Sequence, residues 1–126
     1  MSDLIKINYD SDRPTVLGRI LHEYLEVETP YHKWFPRMCE YGFTEKTDYV
    51  TVDKNVLRAD GALMPQTQSD HQLTIQMAKE ISMLQRNERG KEARQYFISI
   101  EEAWNTPDAV MARALKMADG IFIFAP

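Results

Sequence analysis

A single cysteine, Cys39, occurs in 126 residues, which excludes an intramolecular disulfide framework and every multi-cysteine zinc pattern and suits a reducing compartment. Five glycines form no glycine-rich phosphate loop, and no metalloprotease His-Glu pattern is present. No stretch approaches the ~20 apolar residues of a spanning helix. The first residues carry Asp3, Lys6, Asp10 and Asp12 and lack the apolar core of a signal peptide, so the chain reads as soluble and intracellular. Charge of one sign is also scarce. Nineteen acidic against fifteen basic side chains, a formal charge of −4, argue against a protein that coats nucleic acid or anionic membrane, and leave room for a local basic patch.

The apolar share is 44% with 10% aromatic, enough for a sizeable core, and the length fits one domain. Leu4-Ile5-Lys6-Ile7-Asn8-Tyr9 reads as a short strand running into the turn formers around Pro14. Leu17, Ile20, Leu21, Tyr24 and Leu25 recur at helical spacing, predicting a helix over 17–26 with Gly18 weakening its first turn. Thr29-Pro30 predicts the start of a second helix over 30–41, with Thr29 as cap, the apolar stripe Tyr31, Trp34, Phe35 and Met38, and Gly42 closing it. Pro36 predicts a kink or two short helices. Asp48 to Asp53 has strand composition, 55–69 reads as a hairpin arm or a mobile loop, and 71–75 as a strand passing directly into helix. The stripe lapses at 87–90 and resumes at Ala93, Tyr96, Phe97, Ile100 and Trp104, which predicts two helices with a break near Gly90. Thr106-Pro107-Asp108 opens a last helix to about Ala118. The wholly apolar 121–126 is expected to be an edge strand or packed terminus, a truncation scar or a self-association segment. No internal repeat or low-complexity tract is present.

Few residues carry chemistry. His22 and Glu26 share a helical face, but a metal site needs three or four convergent ligands. Cys39 and His32 stand two helical turns apart, about 10 Å, too far for a thiolate-imidazole pair. Ser69-Asp70-His71 has the letters of a hydrolase triad, yet neighbours on an extended chain point to opposite sides. Catalysis therefore has no positive support, and binding remains. Helices 17–26 and 30–41, joined by a tight Val27-Glu28-Thr29 turn, have helix-turn-helix spacing, the second presenting His32, Lys33 and Arg37 outward. The alternative is an ordinary packing unit, and Glu23, Glu26, Glu28 and Glu40 oppose DNA. Lys79, Arg86, Arg89, Lys91 and Arg94 form a second basic cluster interleaved with Glu80, Glu88 and Glu92, the pattern of a solvated face; Arg94 pairing with Glu101 is the structural alternative.

The run His22-Glu23-Tyr24-Leu25-Glu26-Val27, then Thr29-Pro30-Tyr31-His32-Lys33-Trp34-Phe35, then Tyr41-Gly42-Phe43-Thr44-Glu45-Lys46-Thr47-Asp48-Tyr49, resembles the AntA/AntB antirepressor domain of phages. The later blocks 71–75, 77–81, 90–91, 93–98 and 107–115 are similar to the same family, so the resemblance spans Leu4 to about Ala118. It implies an α+β fold of the broader Bro-N/KilA-N type: one small domain over 1–118 with a helix-turn-helix-like helix pair, a small antiparallel sheet and C-terminal helices, followed by a short apolar tail over 119–126. It implies a phage or prophage protein in the cytoplasm of a bacterial host that binds a phage repressor and lifts repression of lytic genes, with no enzymatic activity, no cofactor and no membrane. Direct DNA binding through the helix pair is the alternative, and blocking a host defence protein a third. A homodimer or higher oligomer is expected from the apolar surface. As partner or DNA contacts the sequence offers His32, Lys33, Arg37, Arg86, Arg89 and Lys91; the motif positions Tyr31, Trp34, Phe35, Gly42, Phe43, Asp48, Arg94, Tyr96 and Phe97 are expected to be structural. Two departures stand out. The family usually opens its first helix with Ser and, three residues later, Glu; here these positions are Leu17 and Ile20, so Thr15 is the expected cap. Members often continue into a linker and a further domain, so this chain is expected to be a short form or a truncated one.

Overall fold

A computed structural model describes residues 5–9, 13–57 and 65–122. The elements are β1 (Thr15–Leu17), α1 (Gly18–Tyr24), α2 (Tyr31–Cys39), β2 (Tyr49–Leu57), β3 (Pro65–Thr74), α3 (Ile75–Leu84), α4 (Glu88–Trp104) and α5 (Pro107–Phe122). This is a small α+β domain with helices packed on a three-stranded antiparallel sheet of order β1-β3-β2.

β3 is the centre of the sheet. It pairs with β2 along the whole length, from Tyr49 opposite Leu73 to Leu57 opposite Pro65, so the segment read as an arm or a loop is an antiparallel hairpin; its turn, 58–64, lies outside the described residues. On its other edge β3 takes only β1, with Val16 opposite Leu73. Among the described residues the first strand is therefore Thr15–Leu17 and not 5–9, while Leu4 lies outside them. Residues 5–9 contribute one bridge, Asn8 with Thr15. The segment is held by its side chains: Ile5 is buried, its carbonyl accepts from the Tyr96 hydroxyl at 3.1 Å, and Tyr9 stacks on Trp104.

α1 starts without a side-chain cap at Leu17. Thr15 is a strand residue and its hydroxyl finds no partner among the described residues, which corrects the expected cap. The helix ends at Tyr24, where the chain turns through Glu26 at φ 57°. α2 begins at Tyr31, one residue later than expected, with Pro30 rather than Thr29 in the cap position and no side-chain cap; the Thr29 carbonyl accepts instead from His22 Nε2 at 2.6 Å. α2 runs through Pro36 as one helix, because Tyr31, Trp34 and Phe35 are anchored in the core before the proline. Gly42 closes it at φ 109°, a conformation side chains resist.

Strand passes straight into helix at Thr74, whose hydroxyl accepts from the Met77 amide at 3.2 Å. α3 and α4 fold back on each other through Ala78, Ile81, Ala93 and the fully buried Phe97, with Lys79 and Glu101 paired at 2.8 Å. The break lies at 85–87, so Gly90 belongs to the first turn of α4. Thr106 caps α5, accepting from the Ala109 amide at 3.2 Å. α5 continues past Ala118 to Phe122, so Ile121 and Phe122 are helical and form no edge strand; 123–126 lie outside the described residues.

Candidate functional site

α2 is fixed by an aromatic cluster. Phe35 stacks on His71 of β3 with ring centroids 3.7 Å apart and planes 9° from parallel, and meets Tyr49 of β2 edge-on at 5.1 Å. Tyr31 shares a 2.7 Å hydrogen bond with His71 Nδ1, and Trp34 lies 5.0 Å from the His22 ring of α1. Below them Asp70, 1% exposed, accepts from the Arg19 amide at 3.0 Å and from the His71 amide at 2.7 Å. The Arg19 guanidinium lies over Tyr31 at 4.5 Å and donates from Nε to the Ser69 carbonyl. Burial, reinforced by the Asp70 charge, raises the Tyr31 phenol far above its ordinary range. Burial likewise lowers His71 below its ordinary value, so both groups stay neutral near pH 7. Burial also raises the Cys39 thiol, and its hydrogen bond with Cys39 raises Tyr49 to about 12.

With that face buried, the opposite face of α2 looks outward. His32, Lys33 and Arg37 are exposed, and none of the three has an ion pair or side-chain hydrogen bond among the described residues. Beside them Arg37, Met38, Glu40 and Tyr41 line a shallow cavity of about 530 Å³, with Tyr41 63% exposed. Of the basic cluster, Arg86 and Lys91 are exposed at the α3–α4 elbow. Arg89 is not with them. It turns inward over the Tyr24 ring at 4.2 Å, with Glu26 at 3.7 Å and Glu92 at 4.0 Å, and ties α4 to α1. The six residues expected as contacts thus fall into two surface groups and one tie.

The motif positions divide similarly. Tyr31, Trp34, Phe35 and Phe97 are core, Phe43 packs against it, and Tyr96 and Gly42 hold the contacts already described. The Asp48 carboxylate accepts from the Thr44 amide at 2.8 Å. Arg94 departs from expectation: it is exposed, and Glu101 is taken by Lys79. The loop between α1 and α2, residues 25–30, is longer than the turn of a helix-turn-helix, because α1 ends at Tyr24. Sequence reasoning missed Arg19 and Asp70, whose one signal is an acidic residue beside alternating apolar positions in β3.

Among the described residues no group of three or more His, Cys, Asp and Glu stands together as a metal site requires, and no helix is long and apolar enough to cross a membrane. A family model described as AntA/AntB antirepressor matches residues 16–87, more than half of the chain. The chain belongs to the AntA/AntB antirepressor family. This is a regulatory and not an enzymatic family. The AntA/AntB match covers β1 through α3, the sheet and the aromatic cluster included, and stops at the residue that caps α4, short of the Ala118 to which the sequence resemblance extends. No curated protein and no solved structure matches the chain.

Proposed function

We propose that this antirepressor acts stoichiometrically, docking on a phage repressor, keeping it from operator DNA and so relieving repression of lytic genes in the bacterial cytoplasm. The observation that carries this reading is the two-faced α2: Tyr31, Trp34 and Phe35 are locked into the core, so His32, Lys33 and Arg37 are exposed on the other side, with no ion pair or side-chain hydrogen bond among the described residues. The helix backbone beneath this face is already fixed, so binding has only the side chains to order. The chain's −4 charge favours encounter with a basic DNA-binding domain, while the α2 cations set the register against carboxylates beside it. The β2–β3 hairpin adds a second edge for contact, and residues 1–118 are the working unit in this reading.

Direct DNA binding is the second reading, and the same unpaired α2 cations favour it. Glu40 on that helix and the exposed Glu23, Glu26 and Glu28 beside its start oppose it, as does the long 25–30 connection. The discriminating experiment is affinity capture of the tagged chain from its lysogenic host, with and without nuclease, followed by mass spectrometry. A repressor retained after nuclease supports the antirepressor reading. DNA retained with no protein overturns it in favour of the second, and the absence of any protein partner overturns it outright.

A further inference from the structure

We infer that the α3–α4 elbow is a second docking groove, fitted to a carboxylate-rich peptide segment of a protein partner that carries an apolar anchor. This inference stands apart from the α2 face and from the antirepressor reading. The elbow forms an open groove of about 630 Å³, lined among others by Met83, Arg86, Glu88, Gly90, Lys91 and Arg94. Its floor is fixed. A Cβ on Gly90 would run into the carbonyl oxygens of Gln85 and Ser82, so only glycine lets the first turn of α4 lie directly on the end of α3. The Asn87 side chain accepts from the Gly90 amide at 2.8 Å, and the Asn87 amide donates to the Gln85 carbonyl at 2.9 Å. The backbone of the groove is thus set before it is filled, and filling it has only the lining side chains to order.

Its chemistry is the reverse of the chain's. In a protein of net charge −4 the groove gathers three cations against one carboxylate, Glu88. The neighbouring cations are consumed elsewhere, Lys79 by Glu101 and Arg89 by Tyr24, Glu26 and Glu92. Arg86, Lys91 and Arg94 are exposed and have no ion pair or side-chain hydrogen bond among the described residues. Lys91 and Arg94, three apart, share one side of α4, and Arg86 reaches in from the elbow. Guanidinium groups so placed bind carboxylates bidentately. Met83, 52% exposed, supplies an adaptable apolar surface between them. A nucleic acid fits less well, because Glu88 repels phosphate and the cations are confined to one elbow rather than tracking along a backbone.

The test is fluorescence anisotropy on the full chain with a fluorescein-labelled peptide of Glu residues around a central Leu pair. Its counterparts are the same peptide with Gln for Glu, the same peptide with Ser for Leu, and duplex DNA of equal charge. The Glu-Leu peptide is expected to bind about tenfold or more tightly than either altered peptide, with an affinity that falls as salt rises. The double variant Lys91→Glu/Arg94→Glu is expected to lose about tenfold or more, Arg86→Ala and Met83→Ser about threefold each, and Lys116→Glu on α5 nothing. Circular dichroism of each variant establishes that the fold is kept. The inference is overturned by failure of the wild-type chain to bind the Glu-Leu peptide, by equal affinity for the DNA, or by binding unchanged in the double variant. It predicts the same result whether or not the chain retains a repressor, so the two readings fail separately.

Discussion

Replacing Gly18 with alanine drives a methyl group into the hydroxyl of Tyr31, with the ring carbon Cζ behind it at 3.1 Å. The tyrosine cannot retreat: it is 6% exposed, stacked on Phe35, covered by Arg19 and hydrogen-bonded to His71. Overpacking of this kind costs about 1–3 kcal/mol, against a helix-propensity gain of at most about 1 kcal/mol. Gly18→Ala is therefore expected to destabilise by about 1–2 kcal/mol. Tyr31→Phe alone removes the hydrogen bond with His71, for about 1–2 kcal/mol. In the Tyr31→Phe background the hydroxyl is gone and the added methyl needs only a small ring shift, so Gly18→Ala should cost close to nothing there. Urea unfolding followed by circular dichroism on the four proteins gives the coupling, expected at about 1–2 kcal/mol in favour of the double variant. Additivity within about 0.3 kcal/mol would refute the claim that this glycine exists to admit Tyr31.

Asp70→Ala leaves the Arg19 and His71 amides without their buried acceptor and is expected to destabilise by about 2–4 kcal/mol; a loss below about 0.5 kcal/mol in the same assay contradicts the assignment. His71 binds its proton less tightly when folded, because it is buried, than when unfolded. Its contribution to stability is thus complete above its ordinary 6.5, falls as pH drops below that value, and levels off below the folded-state pKa. Urea midpoints across this range should show the loss, and His71→Gln should flatten it; an equal slope in the variant sinks the reading. Arg89→Ala should cost about 1 kcal/mol through its contact with Tyr24 and leave partner binding intact, whereas lost binding at unchanged stability would place Arg89 on the surface after all.

Local signals in the sequence carry real information where the physics is local. Gly42 has the positive φ its place after an apolar stripe predicts, Thr106 caps α5, and the change of period at Thr74 marks a strand that becomes a helix. The expectations that moved depend on partners far along the chain. Residues 4–9 have strand composition, but β3 gives its open edge to Thr15–Leu17. Arg89 reads like its basic neighbours and turns inward only because Tyr24, from another helix, lies beneath it. Asp70 looks like a polar strand residue until α1 brings the Arg19 amide over it. Spacing along α2 is enough to separate the buried Tyr31, Trp34 and Phe35 from the exposed His32, Lys33 and Arg37. The elbow groove needed the fold, since it arises where Gly90 lets two helices touch.

The most direct test of stoichiometric docking through α2 is titration of the chain into a preformed repressor–operator complex, following release of labelled operator, alongside the variant Lys33→Glu/Arg37→Glu. The account predicts that the wild-type chain releases the operator fully once it matches the repressor in amount, while the variant, equally folded, needs at least about tenfold more. Equal release by both proteins, or release that the wild-type chain achieves only by binding the operator itself, would contradict it.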